Sequence, residues 1–455
     1  MGKTEKKIIN VCPECKVPGS DGKMPIVGFN SPIRSWHSSE RGFQQDFTSN
    51  DFIQERYCQL ISECGINLIT HFENDYADYP EDFHKILAWA EKYDFNVFVN
   101  DNALLREDMT DEEFEERISE YSKYKSFAGI KIVDEPCNEH FPSEFNGEQK
   151  LSFHPMKWYS ALSRRLNSYD NLIGYINLLP YYWWMQCTMK EYRGYIEEFL
   201  DSCEPKVISY DHYPFDDKNR KRAMEWFFEN LAVIREYSQK AGIPFWAFVQ
   251  CGSQWNSTGK SVETQTYRPT KYEFFWNVNV LLAYGCKGIE YYPLVQPYGD
   301  AMYLDGGLDC DRCGILGADG EPTMWHGFVR QMNKQIHTVG STLMKSQHVG
   351  VLALKGAATY VKGLYGIIEG EGYKELVCVS CRKAGVLVGC FDYEGKTALY
   401  VVNNDTKKCQ DVILHFDDVY HLEYMSSVCQ GVKDTDNFKI TFGAGKAMLI
   451  VVSKK

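Results

Sequence analysis

Between residues 24 and 300, short apolar runs alternate with longer stretches of helical spacing, and this alternation dominates the chain. The runs Pro25–Asn30, Ile66–Phe72, Asn96–Asn100, Gly129–Val133, Leu172–Asn177, Val207–Tyr210, Pro244–Gln250 and Gly288–Tyr292 have the length and apolarity of strands covered on both faces. Segments of helical period follow most of them, at Asp51–Cys64, Glu81–Tyr93, Asp111–Tyr124, Met156–Ser168, Met189–Ser202, Lys218–Ala241 and Lys271–Tyr284. Repeated strand–helix units predict a parallel sheet, and eight of them predict a closed (β/α)8 TIM barrel.

After Gly314 the pattern changes. A turn at Ile315–Pro322 leads into one last helix, Thr323–Val339, and from about His348 the helical period is gone. Alternating runs take over at Val349–Leu354, Leu376–Cys381, Ala384–Asp392, Lys396–Asn403, Gln410–Phe416, Lys439–Phe442 and Lys446–Val452, separated by turn signals such as Glu394-Gly395. They predict a C-terminal all-β sandwich. The expected domains are an N-terminal extension over 1–22, a catalytic barrel over 23–345 and a β-sandwich accessory domain over 346–455.

Composition narrows the function. A formal net charge of −13, with no long basic run, argues against nucleic acid or an anionic membrane as partner. Met1–Asn10 lacks an apolar h-region and no stretch is long and apolar enough to span a bilayer, so a cytoplasmic location is expected. Aromatic residues make up 15% of the chain, a supply suited to stacking on sugar rings as well as to core packing. The 16 cysteines, scattered through strands and helices, read as reduced apolar residues. Cys12/Cys15, Cys310/Cys313 and Cys378/Cys381 have zinc-type spacing, but the last pair lies on a predicted strand where i and i+3 face opposite ways. No metal is assigned. His71, Glu73 and Asp75 lie close together without the His-x-His strand end of barrel metallohydrolases. No cofactor is assigned either, since dinucleotide and phosphate-loop motifs are missing.

The chemistry concentrates at Asp134-Glu135-Pro136, which closes the apolar segment Phe127–Val133. Two acids at the C-terminal end of a barrel strand lie where such folds carry their sites, and one of them can protonate a leaving-group oxygen. The structural alternative is an acid capping the following helix. Four pieces, Gly129–Pro136, Gly174–Pro180, Ile208–Pro214 and Pro244–Gln250, together resemble the (β/α)8-barrel glycoside hydrolases of clan A. Gly314–Thr323 and Leu387–Asn404 resemble in particular the β-galactosidase-like branch with its trailing sandwich. That resemblance implies a glycosidase of carbohydrate metabolism and allows a homo-oligomer, while the expected cytoplasmic location implies small oligosaccharides or glycosides as substrates.

The resemblance implies Glu135 as general acid/base, but the chain departs from the family at two places. Asp134 stands where the family has Asn, and strand seven ends in Gln250 where the family has its nucleophilic Glu. The second catalytic group is therefore open among Asp211, Glu290 and a substrate 2-acetamido group oriented by Asp134. The last option follows hexosaminidases whose adjacent Asp-Glu pair divides these tasks. Trp36, His37, His71, Asn177, Tyr213, Gln250, Trp255 and Tyr292 are the expected substrate-binding residues, each at or just beyond a strand end. The competing reading, favoured by Gln250, is a carbohydrate-binding barrel that hydrolyses nothing.

Overall fold

The computed structural model describes residues 17–29, 52–70, 75–106, 108–137, 155–181, 187–215, 220–252, 268–295, 314–317 and 320–455, and the backbone of a small hairpin at 144–145 and 148–149. Strands β1 (Ile26–Gly28), β2 (Leu68–Thr70), β3 (Asn96–Val99), β4 (Phe127–Asp134), β5 (Ile173–Leu178), β6 (Ile208–Tyr210), β7 (Phe245–Gln250) and β8 (Gly288–Tyr292) pair in parallel and in sequence order. β1 pairs with β8, so the sheet has no edge. The fold is a (β/α)8 barrel followed by a C-terminal β-sandwich.

Helices α1 (Glu55–Glu63), α2 (Pro80–Lys92), α3 (Asp111–Ser122), α4 (Met156–Asn167), α5 (Met189–Cys203), α6 (Arg220–Ala241) and α7 (Lys271–Ala283) surround the strands. Three start at a Thr-x-x-Glu capping box: Thr110/Glu113, Thr188/Glu191 and Thr270/Glu273. In each, hydroxyl and carboxylate satisfy two N–H groups that the first turn leaves unpaired. α7 is buried on nearly every side because the sandwich covers the face that the barrel does not.

Inside the barrel, Val27, Leu68, Ala128, Ile173, Val207 and Phe248 pack around an aromatic floor of Phe98, Tyr175 and Trp246. Phe98 stacks on Tyr175 at 5.1 Å and on Trp246 at 6.3 Å between ring centroids. Gly288 makes room for that floor, since a Cβ there would lie 2.4 Å from Trp246 Cδ1.

Helix α8 (Met324–Lys345) runs past the predicted end at Val339. Gly340 interrupts the apolar pattern in sequence, yet its missing side chain lets the helix pass close to Met24. Beyond it, β9 (Gln347–Leu354), β10 (Leu376–Ser380), β11 (Val386–Tyr393), β12 (Lys396–Asn403), β13 (Gln410–Met425), β14 (Gln430–Phe442) and β15 (Ala447–Ser453) form one antiparallel sheet. β13 pairs with β10 through its first half and with β15 through its second, with a register break between His415 and Tyr420. This folds the sheet into two layers around Leu352, Val388, Leu399, Leu414, Phe438 and Ile450. β13 and β14 extend well beyond the predicted Gln410–Phe416 and Lys439–Phe442, because their outer parts are polar and carry little alternation.

The sandwich docks on α6 and α7 through buried polar contacts. Asn279 donates to the Gly445 carbonyl at 2.9 Å and accepts from Tyr400 Oη at 2.7 Å. Arg235 Nε donates to His348 Nδ1 at 2.7 Å, and Nη2 to the Val349 carbonyl at 2.8 Å. Among the described residues no helix is long and apolar enough to cross a membrane.

Candidate active site

The C-terminal mouth of the barrel is built from the ends of β4, β5, β6, β7 and β8. On β4 the register against β5 pairs Lys131 with Tyr175, then shifts before pairing Val133 with Ile176 and Asp134 with Asn177. That bulge inserts one residue, so Lys131 and Asp134, three apart in sequence, share the inward face that a regular strand would deny one of them. Ile130, Ile132 and Val133 pack with the core outside the strand.

At Glu135 the backbone turns into the left-handed region, φ +50°, immediately before a proline. A side chain in this region costs on the order of 1–2 kcal/mol, and a following proline restricts its backbone further. Tertiary bonds hold the turn. Glu135 N–H donates to the Asn177 carbonyl at 2.9 Å, and Tyr195 Oη donates to the Pro136 carbonyl at 2.9 Å.

Three carboxyls meet here. Glu135 hydrogen-bonds Asp211, which follows β6, and burial together with the charges of Asp211 and Asp134 drives its pKa well above the usual carboxylate range. Asp211 is pushed up to about 7, first by burial and then by Asp134. Asp134 is raised by burial, against the opposing pull of Lys131 and of a hydrogen bond from Asn177. Groups so strongly coupled titrate as a set, and a proton stays within the set at neutral pH. Asp211 Oδ1 is buried with no hydrogen-bond partner among the described residues.

Asn177 is central. Its Nδ2 donates to Asp134 Oδ1 at 2.9 Å, and the amide beside Asp211 opposes the rise of that carboxyl. Beneath it, Glu290 points inward from β8 and is fully buried, with Oε2 2.6 Å from Tyr175 Oη and Oε1 2.6 Å from Ser209 Oγ. Burial pushes its carboxyl up to about 8, against the lowering effect of those two hydrogen bonds.

An outer layer fixes the loop carrying Asp211. Asn230 Oδ1 accepts from Tyr181 N–H at 2.7 Å and faces His212 Nδ1 at 2.8 Å, while Nδ2 donates to Tyr192 Oη at 2.8 Å. The amide orientation requires the proton on His212 Nδ1. Burial lowers the His212 pKa to about 4, so the ring is neutral.

The remaining expected binding residues divide into two sets. Tyr213 and Tyr292, both half-buried, lie 6.3 Å apart between ring centroids, and the buried Phe29 packs 6.1 Å from Tyr292. Gln250 is buried at the end of β7 and donates to the Gly252 carbonyl at 2.7 Å. Trp36, His37, His71 and Trp255 lie outside the described residues, as do the first two Cys-x-x-Cys pairs. Cys378 and Cys381 are free, half-buried thiols, and no group of three or more potential metal ligands gathers among the described residues. Sequence reading missed Lys131, Ser209 and Tyr175 as parts of the site. The one charge in the apolar run Phe127–Val133 was the available signal for Lys131; Ser209 and Tyr175 gave none.

No family model matches the chain and no curated protein matches it. Among solved structures it is similar in course to an Anoxybacillus α-amylase, at 11% identity and TM-score 0.49 over 95% of this chain and 98% of that one. A GH30 endoxylanase from Clostridium papyrosolvens shares 10% identity at TM-score 0.44, over 98% of each chain. The β-galactosidase of Marinomonas ef1 shares 11% at TM-score 0.45, over 74% of this chain and 64% of that one. Identities this low transfer no residue role.

Proposed function

We propose that this protein is a glycoside hydrolase with Glu135 as its general acid. The observation that carries the reading is the proton-holding cluster of Glu135, Asp211 and Asp134 at the barrel mouth. Acid catalysis of glycoside cleavage needs a carboxyl still protonated near the working pH, and burial together with the neighbouring acids holds Glu135 toward that form. The half-buried rings of Tyr213 and Tyr292 offer π faces on which a sugar ring can stack, backed by the buried Phe29.

Asp211 touches Glu135, whereas acid and nucleophile in retaining enzymes stand about 5–5.5 Å apart, and acid and base in inverting enzymes about 6.5–9.5 Å. This contact favours Asp211 as the proton partner of Glu135 rather than as the group attacking the anomeric carbon. Asp134 is oriented by Asn177 on the same turn and is suited to hold a substrate 2-acetamido group while its oxygen forms the bond to that carbon. The proposed substrates are thus small glycosides or oligosaccharides of 2-acetamido sugars, and the proposed location is cytoplasmic.

The test is glycoside release from a panel that sets 2-acetamido sugars beside galactosides and glucosides, with Glu135→Gln in parallel. The expected result is turnover of 2-acetamido substrates that falls about 10²–10⁴-fold in the variant. Turnover of plain galactosides would refute the role given to Asp134. An active Glu135→Gln would refute the general acid.

A further inference from the structure

Glu290 lies below the three acids, and its hydrogen bonds can be counted proton by proton. Asn177 Nδ2 donates upward to Asp134 Oδ1 at 2.9 Å, so the amide is oriented with Oδ1 facing down as an acceptor. Its neighbour is Ser209 Oγ, at 2.9 Å. Ser209 Oγ also lies 2.6 Å from Glu290 Oε1 and 2.9 Å from Tyr175 Oη, and Tyr175 Oη lies 2.6 Å from Glu290 Oε2. A serine hydroxyl has one proton to give. If Ser209 gives it to Asn177, the short contact with Glu290 is a hydrogen bond only when Glu290 itself carries a proton.

We infer that Glu290 is a neutral, proton-holding positioning residue that starts a one-way hydrogen-bond chain ending on Asp134. Tyr175 donates to Glu290 Oε2, Glu290 Oε1–H donates to Ser209, Ser209 donates to Asn177 Oδ1, and Asn177 Nδ2 donates to Asp134. When Glu290 loses its proton, Ser209 turns to the new carboxylate and Asn177 Oδ1 is left facing a lone pair. The grip on Asp134 then loosens, and Glu290 ionisation sets an alkaline limit on the site above.

The titratable groups facing Glu290 are Tyr175 from β5, Asp134 from β4, Asp211 after β6, and Cys286 at the foot of its own strand. The two acids oppose its ionisation, as does burial, in agreement with a carboxyl raised to about 8. The inference rests on the glycosidase reading only for its effect on turnover; the protonation state can be tested without a substrate.

The experiment compares wild type and Glu290→Gln by thermal unfolding from pH 5 to 9 and, on the substrate found in the panel, by the pH profile of kcat/KM. A glutamine donates to Ser209 and accepts from Tyr175 as the protonated acid does, but it does not titrate. A carboxyl whose folded pKa is raised favours the folded state most at low pH, and that advantage is lost as pH rises toward the folded value. Wild type should therefore lose Tm relative to Glu290→Gln between pH 5 and 8. Glu290→Gln should keep kcat/KM within about threefold at pH 6, and its alkaline limb should move up by about one unit or more. Parallel melting profiles overturn the inference whatever the activity. A loss above about 100-fold at pH 6 in a variant with a native melt also overturns it, by making Glu290 a nucleophile. Diverging melts without turnover of any glycoside would sink the glycosidase reading and leave this one standing. If Glu290→Gln does not fold, Ser209→Ala serves: it should hold kcat/KM at the reduced high-pH level of wild type across the range, and a wild-type profile overturns the chain.

Discussion

Replacing Asp211 by Asn tests the proton-sharing set directly. The variant keeps the volume and a hydrogen-bonding group beside Glu135 but removes a carboxylate in contact with it. Two unit charges about 4 Å apart repel by about 4 kcal/mol at an effective dielectric constant near 20, which is roughly three pKa units. Part of that repulsion is replaced in the variant by the amide's own hydrogen bond, so the Glu135 pKa should fall by roughly one to three units. Burial and Asp134 remain to hold it above an ordinary carboxylate.

The sign follows from the role of Glu135. A lower pKa ionises the acid sooner, so the alkaline limb of kcat/KM moves to lower pH by the same roughly one to three units. At the acid end of the profile, below the alkaline limb of both proteins, activity should be kept within about tenfold. The assay is kcat/KM from pH 4 to 9 on the substrate identified in the glycoside panel, with the unfolding midpoint measured at each end. An alkaline limb that does not move would show that Asp211 does not control the Glu135 proton. A uniform loss of several thousandfold across the range would make Asp211 the attacking group and end the substrate-assisted reading.

Two further perturbations test the frame that holds the site. Gly288→Ala places a methyl 2.4 Å from Trp246 Cδ1 in the barrel floor, and overpacking of this kind costs about 1–3 kcal/mol; an unchanged urea midpoint would mean the floor has slack. Asn279→Ala strips Gly445 of its donor and Tyr400 of an acceptor at the junction of barrel and sandwich. Buried groups left unpaired cost about 1–3 kcal/mol each, so urea unfolding should shift by about 2–5 kcal/mol, whereas a change below about 0.5 kcal/mol would show that the polar contacts do not hold the junction.

What the sequence disclosed and what it hid divide along the range of the interactions involved. Strand–helix alternation and the Thr-x-x-Glu boxes are local, and they place the barrel strands and several helix starts to within a few residues. The acids at the ends of β4 and β6 were visible for the same reason, since an acid closing an apolar run is a local signal. The arrangement that makes them a set is not local. The bulge that turns Lys131 and Asp134 to one face exists only in the register of β4 against β5, and a linear alternation cannot reveal it. The left-handed turn at Glu135 runs against its own residue type and the proline after it, and is held by Asn177 and Tyr195 from other elements.

Glu290 shows the division most clearly. Its place between Ile289 and Tyr291 left open whether it faced the barrel, as a nucleophile candidate, or the helices. Ser209 and Tyr175 gave no sign of a site at all. Only their meeting inside the barrel turns an isolated glutamate into a proton-counting problem, in which a neutral carboxyl beneath the acids lets three of the four close contacts carry a proton where an ionised one allows two. That solution also assigns work to the Asn177 amide, which a family comparison through Gln250 and Asp134 could not supply. The hydrogen-bond chain below Asp134 points to acids organised from within the barrel rather than across it.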